Sequence, residues 1–113
     1  MSIKRFETGP RMSQAVAHNG TLYIAGQVAK GATVKEQTTA ILKQIDALMA
    51  AAGTDKTKIL SANIWLASMS TFAEMNSAWD AWVSPGNTPA RATVEAKLAA
   101  PEYLVEIAAI CAL

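Results

Sequence analysis

One histidine and one cysteine in 113 residues leave little material for metal or nucleophile chemistry. No Cys/His cluster stands at metal-ligand spacing, and His18 has no companions at a place where a Ser-His-Asp set could assemble. A glycine-rich phosphate loop is also missing. The formal net charge of +1 lacks the basic excess that marks a nucleic-acid footprint, so no nucleic-acid partner is expected. No apolar run approaches the roughly 20 residues that a membrane helix needs. A lone Cys111 excludes an internal disulfide, and no basic start followed by an apolar stretch marks a secretory signal, so a cytoplasmic location is expected. What the chain does have is apolar mass: 51% of its residues are hydrophobic and 17% charged, enough for one globular domain spanning residues 1–113.

Periodicity supplies the elements. In "MSQAVAHNGTLYIAGQVA" two strand-like runs flank Asn19-Gly20, the dipeptide that tolerates the positive φ angles of a type I′ hairpin turn. "TVKEQTTAILKQIDALMAAAG" opens with Thr33 and Glu36 at capping-box spacing, sets Val34, Thr38, Ile41, Ile45, Leu48 and Ala52 on one stripe, and stops at Gly53. "TKILSANIWLASM" alternates Leu60, Ala62, Ile64 and Leu66 against their neighbours, as in a strand covered on one side. A second helix follows in "STFAEMNSAWDAWVSPG", capped at Ser70 or Thr71 and ended by Pro85-Gly86. With "IKRFE" as a first strand and two last strands near 90–98 and 103–112, the order is β-β-β-α-β-α-β-β. That order predicts an α+β fold, one mixed sheet carrying two helices on a single face. Ala15, Ala17, Ala62, Ala92, Ala96, Val94 and Ile107 are candidates for the uncovered face, which an oligomer arranged about a symmetry axis would bury.

His18 reads as an exposed hairpin residue and Cys111 as a small core residue. Trp65, Trp79 and Trp82 read mostly as core, the last two filling the space between helix and sheet. Arg91 and Glu106 stand apart. A charge in an otherwise apolar strand costs several kcal/mol of desolvation unless something pairs with it. The two either form a structural ion pair or serve a ligand.

The succession "GPRMSQAV…NGTLYIAGQ", "FAEMNSAWDAWV" and "TPARATVEAKL…VEIAAI" resembles the Rid family, the YjgF-like reactive-intermediate deaminases, over nearly the whole chain. Within it the short chain and the "NSAWDAWV" helix are most similar to the YoaB-like branch. The resemblance implies a chorismate-mutase-like fold and a homotrimer with clefts between neighbouring subunits. It also implies hydrolysis of enamine and imine intermediates to 2-oxo acids and ammonia, with no cofactor and no metal. By position, Arg91 stands where the family's arginine grips the substrate carboxylate, and Glu106 where its glutamate orients water. Asn76 takes the place of a cleft asparagine, Gly26 that of a glycine bordering the ligand, and Thr93 that of a cysteine. Met12 replaces a cleft tyrosine and removes a hydrogen-bond donor, so orientation or selectivity toward the substrate is expected to differ. The same arginine would equally serve a carboxylate-binding protein without turnover. RNA cleavage, a role also ascribed to this family, draws poor support from the neutral charge.

If the last two strands pair through their short turn with Leu98 opposite Tyr103, Arg91 faces Ile110 and Glu106 faces Glu95, on the same side of the sheet. The offset then separates the two charges by about 13 Å, which suggests that a neighbouring subunit supplies one of them.

Overall fold

The computed structural model describes residues 2–113 as β1 (Lys4–Thr8), β2 (Ser13–His18), β3 (Thr21–Gln27), α1 (Val34–Ala52), β4 (Ile59–Leu66), α2 (Phe72–Trp82), β5 (Ala90–Glu95) and β6 (Val105–Ala112). This is the order expected from the sequence, with β5 and β6 shorter than the segments assigned to them. All six strands join one sheet in the order β1-β2-β3-β6-β4-β5. Only β4 and β5 run parallel.

Local chemistry explains the ends of the elements. Asn19 and Gly20 both adopt positive φ, 51° and 77°, and turn β2 into β3. At the start of α1 the Thr33 hydroxyl accepts from the Glu36 amide at 3.1 Å, while the Glu36 carboxylate accepts from the Ala32 amide at 3.0 Å. Gly53, at φ 85°, closes the helix by donating to Ala50, and Thr54 donates to Met49. α2 is capped less well: Thr71 makes no side-chain cap bond, and a short 3-10 turn over Met69–Thr71 leads into the helix.

The core lies between the helices and one face of the sheet. Ile41, Leu42, Ile45 and Met49 of α1 are buried with Leu22, Ile64, Leu66 and Ile107 of the sheet. Ala15, Ala17, Ala62 and Ile107, expected on the uncovered face, belong to this core instead: Ala62 and Ile107 alternate in phase with the other buried residues of their strands, and Ala15 and Ala17 are level with buried Ile24 and Leu22 of β3. Ala92 and Val94 do face away, together with Tyr23 and Ile110. One further difference concerns Leu60, which is 54% exposed while Ile59 is buried. The β4–β6 register shifts between Ile59 and Ser61, and that irregularity inverts the alternation at the start of the strand.

The pairing of the last two strands differs most from expectation. β4 lies between β5 and β6, so Leu98 and Tyr103 close no hairpin. Instead residues 96–104 cross over the sheet end, held by buried Gln37 of α1. Its amide group donates to Gly31 and Glu102 at 3.0 and 2.9 Å and accepts from the Leu104 amide at 2.9 Å.

Candidate functional site

β4 fixes where the two charged residues stand. Arg91 is level with Ala62, which in turn is level with Ala109 of β6, and both alanines are buried beneath the helices. Thr93 is level with buried Ile64. Side chains at paired positions point to the same side, so Arg91 and Thr93 face the helices. Glu106 is level with Trp65 and lies between buried Val105 and Ile107, so it faces the open side. This overturns the expected register, in which Arg91 faced Ile110 and Glu106 faced Glu95 on a shared face. Arg91 and Glu106 of one chain do not pair. They stand on opposite faces, two strands apart and three positions out of step, about 10 Å along the strands and about 10 Å across them.

The candidate residues therefore fall into two groups. The first lies at the β5 edge beneath α2. The Arg91 guanidinium sits over the Trp79 ring, 5.1 Å from its centre, and 5.8 Å from that of Phe72. Phe72, Asn76 and Trp79 are spaced i, i+4, i+7 on α2 and share one side of the helix. Asn76 Oδ1 and Thr93 Oγ1 are buried and without a hydrogen-bond partner. A desolvated acceptor or hydroxyl left alone costs about 1–3 kcal/mol, so these two atoms set this edge apart from the satisfied polar groups elsewhere in the fold. Among the described residues no carboxylate pairs with Arg91. The nearby Glu95, on the same face of β5, accepts from the Met69 amide at 3.1 Å instead.

The second group lies across the sheet. Gly26 sits in the stretch of β3 where the register with β6 slips between Ile24 and Gln27. A Cβ there would overlap the Glu106 carboxylate and stand 2.9 Å from its Cδ. The glycine is thus needed so that Glu106 can lie against the β3 backbone. Met12 is 47% exposed in the turn before β2, where Gly9 donates to its carbonyl at 2.8 Å. Continuing the β2–β3 register puts Met12 beside Gln27, at the same sheet end as Gly26 and Glu106. Arg91, Thr93 and Asn76 occupy one edge of a chain, while Glu106, Gly26 and Met12 lie toward the other.

His18 stays at the hairpin, with Nδ1 3.3 Å from the Ser2 carbonyl. Cys111 is fully buried, and burial pushes its thiol up to about 11. Trp82, read as core, is only partly buried and packs against the core, its indole N–H donating to Asp46 at 3.0 Å. Trp79 is core as read, and it also carries the guanidinium on its face, a contact that the sequence did not reveal. The available signal was Asn76, a polar residue set between Phe72 and Trp79 on an otherwise apolar stripe. No group of three or more His, Cys, Asp or Glu is placed to hold a metal among the described residues, and no helix is long and apolar enough to cross a membrane.

A six-stranded mixed sheet with both helices on one face, and a guanidinium held at its parallel edge, defines a small single-sheet α+β domain. Residues 2–113 match the family described as Endoribonuclease L-PSP, and the chain belongs to it. It is 46% identical over 113 residues to the RutC family protein YoaB of Escherichia coli, covering 99% of each chain. Among solved structures it is similar to a YjgF-family protein from Neisseria meningitidis, with 50% identity, a TM-score of 0.97, and 99% and 95% of the two chains covered. A Rid-family protein of unknown function from Yersinia pestis gives 29% identity and a TM-score of 0.92 over 99% and 100% of the chains. The fold and the family expected from the sequence are those found.

Proposed function

We propose that the protein is a cofactor-independent deaminase of reactive enamines and imines, working in the cytoplasm as a homotrimer whose sites lie between neighbouring subunits. Its substrates are of the 2-aminoacrylate and 2-iminobutanoate type. The observation that carries this reading is Arg91: a partly buried cation held by aromatic rings, with no acid as partner among the described residues and two unsatisfied buried oxygens on the same side of the sheet edge.

A planar guanidinium binds a carboxylate through two parallel charge-assisted hydrogen bonds and so fixes the adjacent C=N carbon in place. Asn76 and Thr93 offer further polar contacts to the bound acid. Water then adds to the imine carbon as Glu106 takes its proton and passes it to the imine nitrogen; the resulting carbinolamine gives its hydroxyl proton to the departing amine as the C–N bond breaks, leaving a 2-oxo acid and ammonia. In a single chain Glu106 stands two strands from Arg91 on the other face, so the reaction needs a second subunit to bring a Glu106 to each Arg91. Met12 replaces a donor with a thioether and leaves substrate orientation to Arg91, Asn76 and Thr93.

The same separation favours a second reading, a carboxylate-binding or regulatory protein without turnover, because one chain alone holds the anion site but not the base beside it. Ammonia release from enzymatically generated 2-aminoacrylate or 2-iminobutanoate separates the two. Release above the spontaneous rate, abolished in Arg91→Ala, supports the deaminase. Binding of 2-oxobutanoate with no rate increase supports the sensor. RNA cleavage, the activity in the family description, is judged by the same variant: cleavage retained in nuclease-free Arg91→Ala would restore it.

A further inference from the structure

Arginines in folded proteins are commonly oriented by a carboxylate, which neutralises the charge and occupies part of the hydrogen-bonding fork. Arg91 is held differently. The Trp79 and Phe72 rings lie 5.1 and 5.8 Å from its central carbon, and both belong to one side of α2. Attraction to a ring face engages the charge while leaving the in-plane N–H donors free. The ring itself is braced. Trp79 is 5% exposed and packs against Trp82 with ring centres 5.4 Å apart. Trp82 in turn donates to both oxygens of Asp46 on α1, at 3.1 and 3.0 Å, and Lys56 donates to its carbonyl. A chain of contacts therefore runs from α1 through two tryptophans to the edge of the sheet.

We propose that Trp79, assisted by Phe72, is a positioning residue for the anion site: its ring face sets the orientation of the Arg91 guanidinium in place of a carboxylate, keeping both charge and donors available for the ligand. The inference rests on the reading of Arg91 as a carboxylate binder and adds how that binder is prepared. It also accounts for an aromatic pair that packing alone does not require. Trp79 fills the core with one side of its ring, yet the space under Arg91 could be filled by any apolar side chain.

The test combines affinity with a readout independent of ligand. Dissociation constants for 2-oxobutanoate are measured by calorimetry for the parent, Trp79→Phe, Trp79→Leu, Phe72→Leu, Arg91→Ala and the Arg91→Ala/Trp79→Leu double variant. The Arg91 side-chain N–H resonance is followed by NMR. Trp79→Leu is expected to weaken binding roughly 2- to 30-fold, the range that loss of a cation–π contact spans, and to abolish the ring-current shift of the Arg91 resonance. Trp79→Phe restores most of both. In the Arg91→Ala background Trp79→Leu adds no further loss, whereas a merely structural role would give additive losses. Phe72 is 37% exposed, so Phe72→Leu keeps the question open to test if Trp79→Leu fails to fold; a smaller loss of affinity is expected there. Parental affinity and an unchanged Arg91 resonance in folded Trp79→Leu, or in Phe72→Leu if that is the variant that folds, would overturn the positioning role while leaving the anion site intact. If the parent neither binds 2-oxobutanoate nor releases ammonia, the proposed function falls, and the positioning role falls with it.

Discussion

Arg91 and Glu106 stand on strands that flank β4 on either side, one level with Ala62 and the other with Trp65, and they face opposite sides of the sheet. No rotamer change brings two such groups to one small imino acid. A site that uses both must take them from two chains. Unfolded Arg91→Ala and Glu106→Gln proteins, each expected to be inactive, are therefore mixed equally and refolded. In a cyclic trimer with random assembly, roughly one site in four unites an intact Arg91 with a neighbour's intact Glu106. Deaminase activity at about a quarter of the parental level is expected. Mixed trimers, verified by mass, that stay inactive would show that the two residues do not cooperate across subunits.

Arg91→Lys keeps the charge but not the planar fork. Loss of one charge-assisted hydrogen bond is worth about 1.5–3 kcal/mol, so kcat/KM is expected to fall roughly 10- to 150-fold. Because the lost contact holds the substrate before and during reaction, most of the fall should lie in KM. Steady-state kinetics with an ammonia-coupled assay check this, and an unchanged kcat/KM would remove Arg91 from the site.

Local signals carried much of this structure. Asn19-Gly20, the Thr33 and Glu36 pair and Gly53 each act within a few residues, so the hairpin and α1 were legible in the sequence. The insertion of β4 between β5 and β6 was not, because parallel pairing of β4 with β5 joins residues about thirty apart and leaves no turn to recognise. The crossover is fixed instead by Gln37, whose bonds to Glu102 and Leu104 span the chain. Facing was harder still. On β5 the apolar residues Ala92 and Val94 look outward while Arg91 and Thr93 face the helices, the reverse of the usual polarity. The proposed anion site under α2, and an open face covered in the proposed trimer, would account for that inversion. Family resemblance named the candidate residues and the sequence spacing already set Arg91 apart from Glu106, but only the observed register showed that the two face opposite sides of the sheet.

Gln37 is fully buried, and its side chain satisfies the Gly31 and Glu102 carbonyls and the Leu104 amide. Gln37→Met keeps the volume and leaves all three unpaired. A loss of on the order of 3 kcal/mol in unfolding free energy is expected, read from the urea midpoint at fixed protein concentration. A loss below about 0.5 kcal/mol, the range of an ordinary surface change, would mean that the crossover is held elsewhere.

Cys111 gives a pH prediction with a defined sign. Burial raises the thiol from 9.0 to about 11, so the unfolded chain ionises first as pH rises. The unfolded state then binds fewer protons than the native one, and stability falls with pH. The contribution of the neutral buried thiol is intact below pH 9.0 and is lost as pH approaches about 11. Cys111→Ala should remove this part of the alkaline slope, seen as a difference between the two proteins in urea midpoints across that window. Alkylation of the native parent should stay slow at pH 8, and fast labelling there would contradict the burial.

Gly26→Ala tests Glu106 without touching it. The added Cβ would overlap the Glu106 carboxylate and stand 3.2 Å from its Cγ. The far end of a flexible side chain yields more easily than backbone, so the carboxylate should move while the β3–β6 pairing survives. Unfolding free energy is expected to change by less than about 1 kcal/mol. Rate is another matter, since misplacing a reacting group by about 1 Å can cost on the order of 10²-fold, and kcat should fall by about that amount. Affinity for 2-oxobutanoate, set by Arg91 on the other face, should remain near the parental value. Adding Gly26→Ala to Glu106→Gln should then cost nothing more, because the group it displaces has already lost its basicity. A Gly26→Ala protein that keeps the parental kcat, with Glu106 shown by crystallography to have moved, would exclude Glu106 as the proton acceptor.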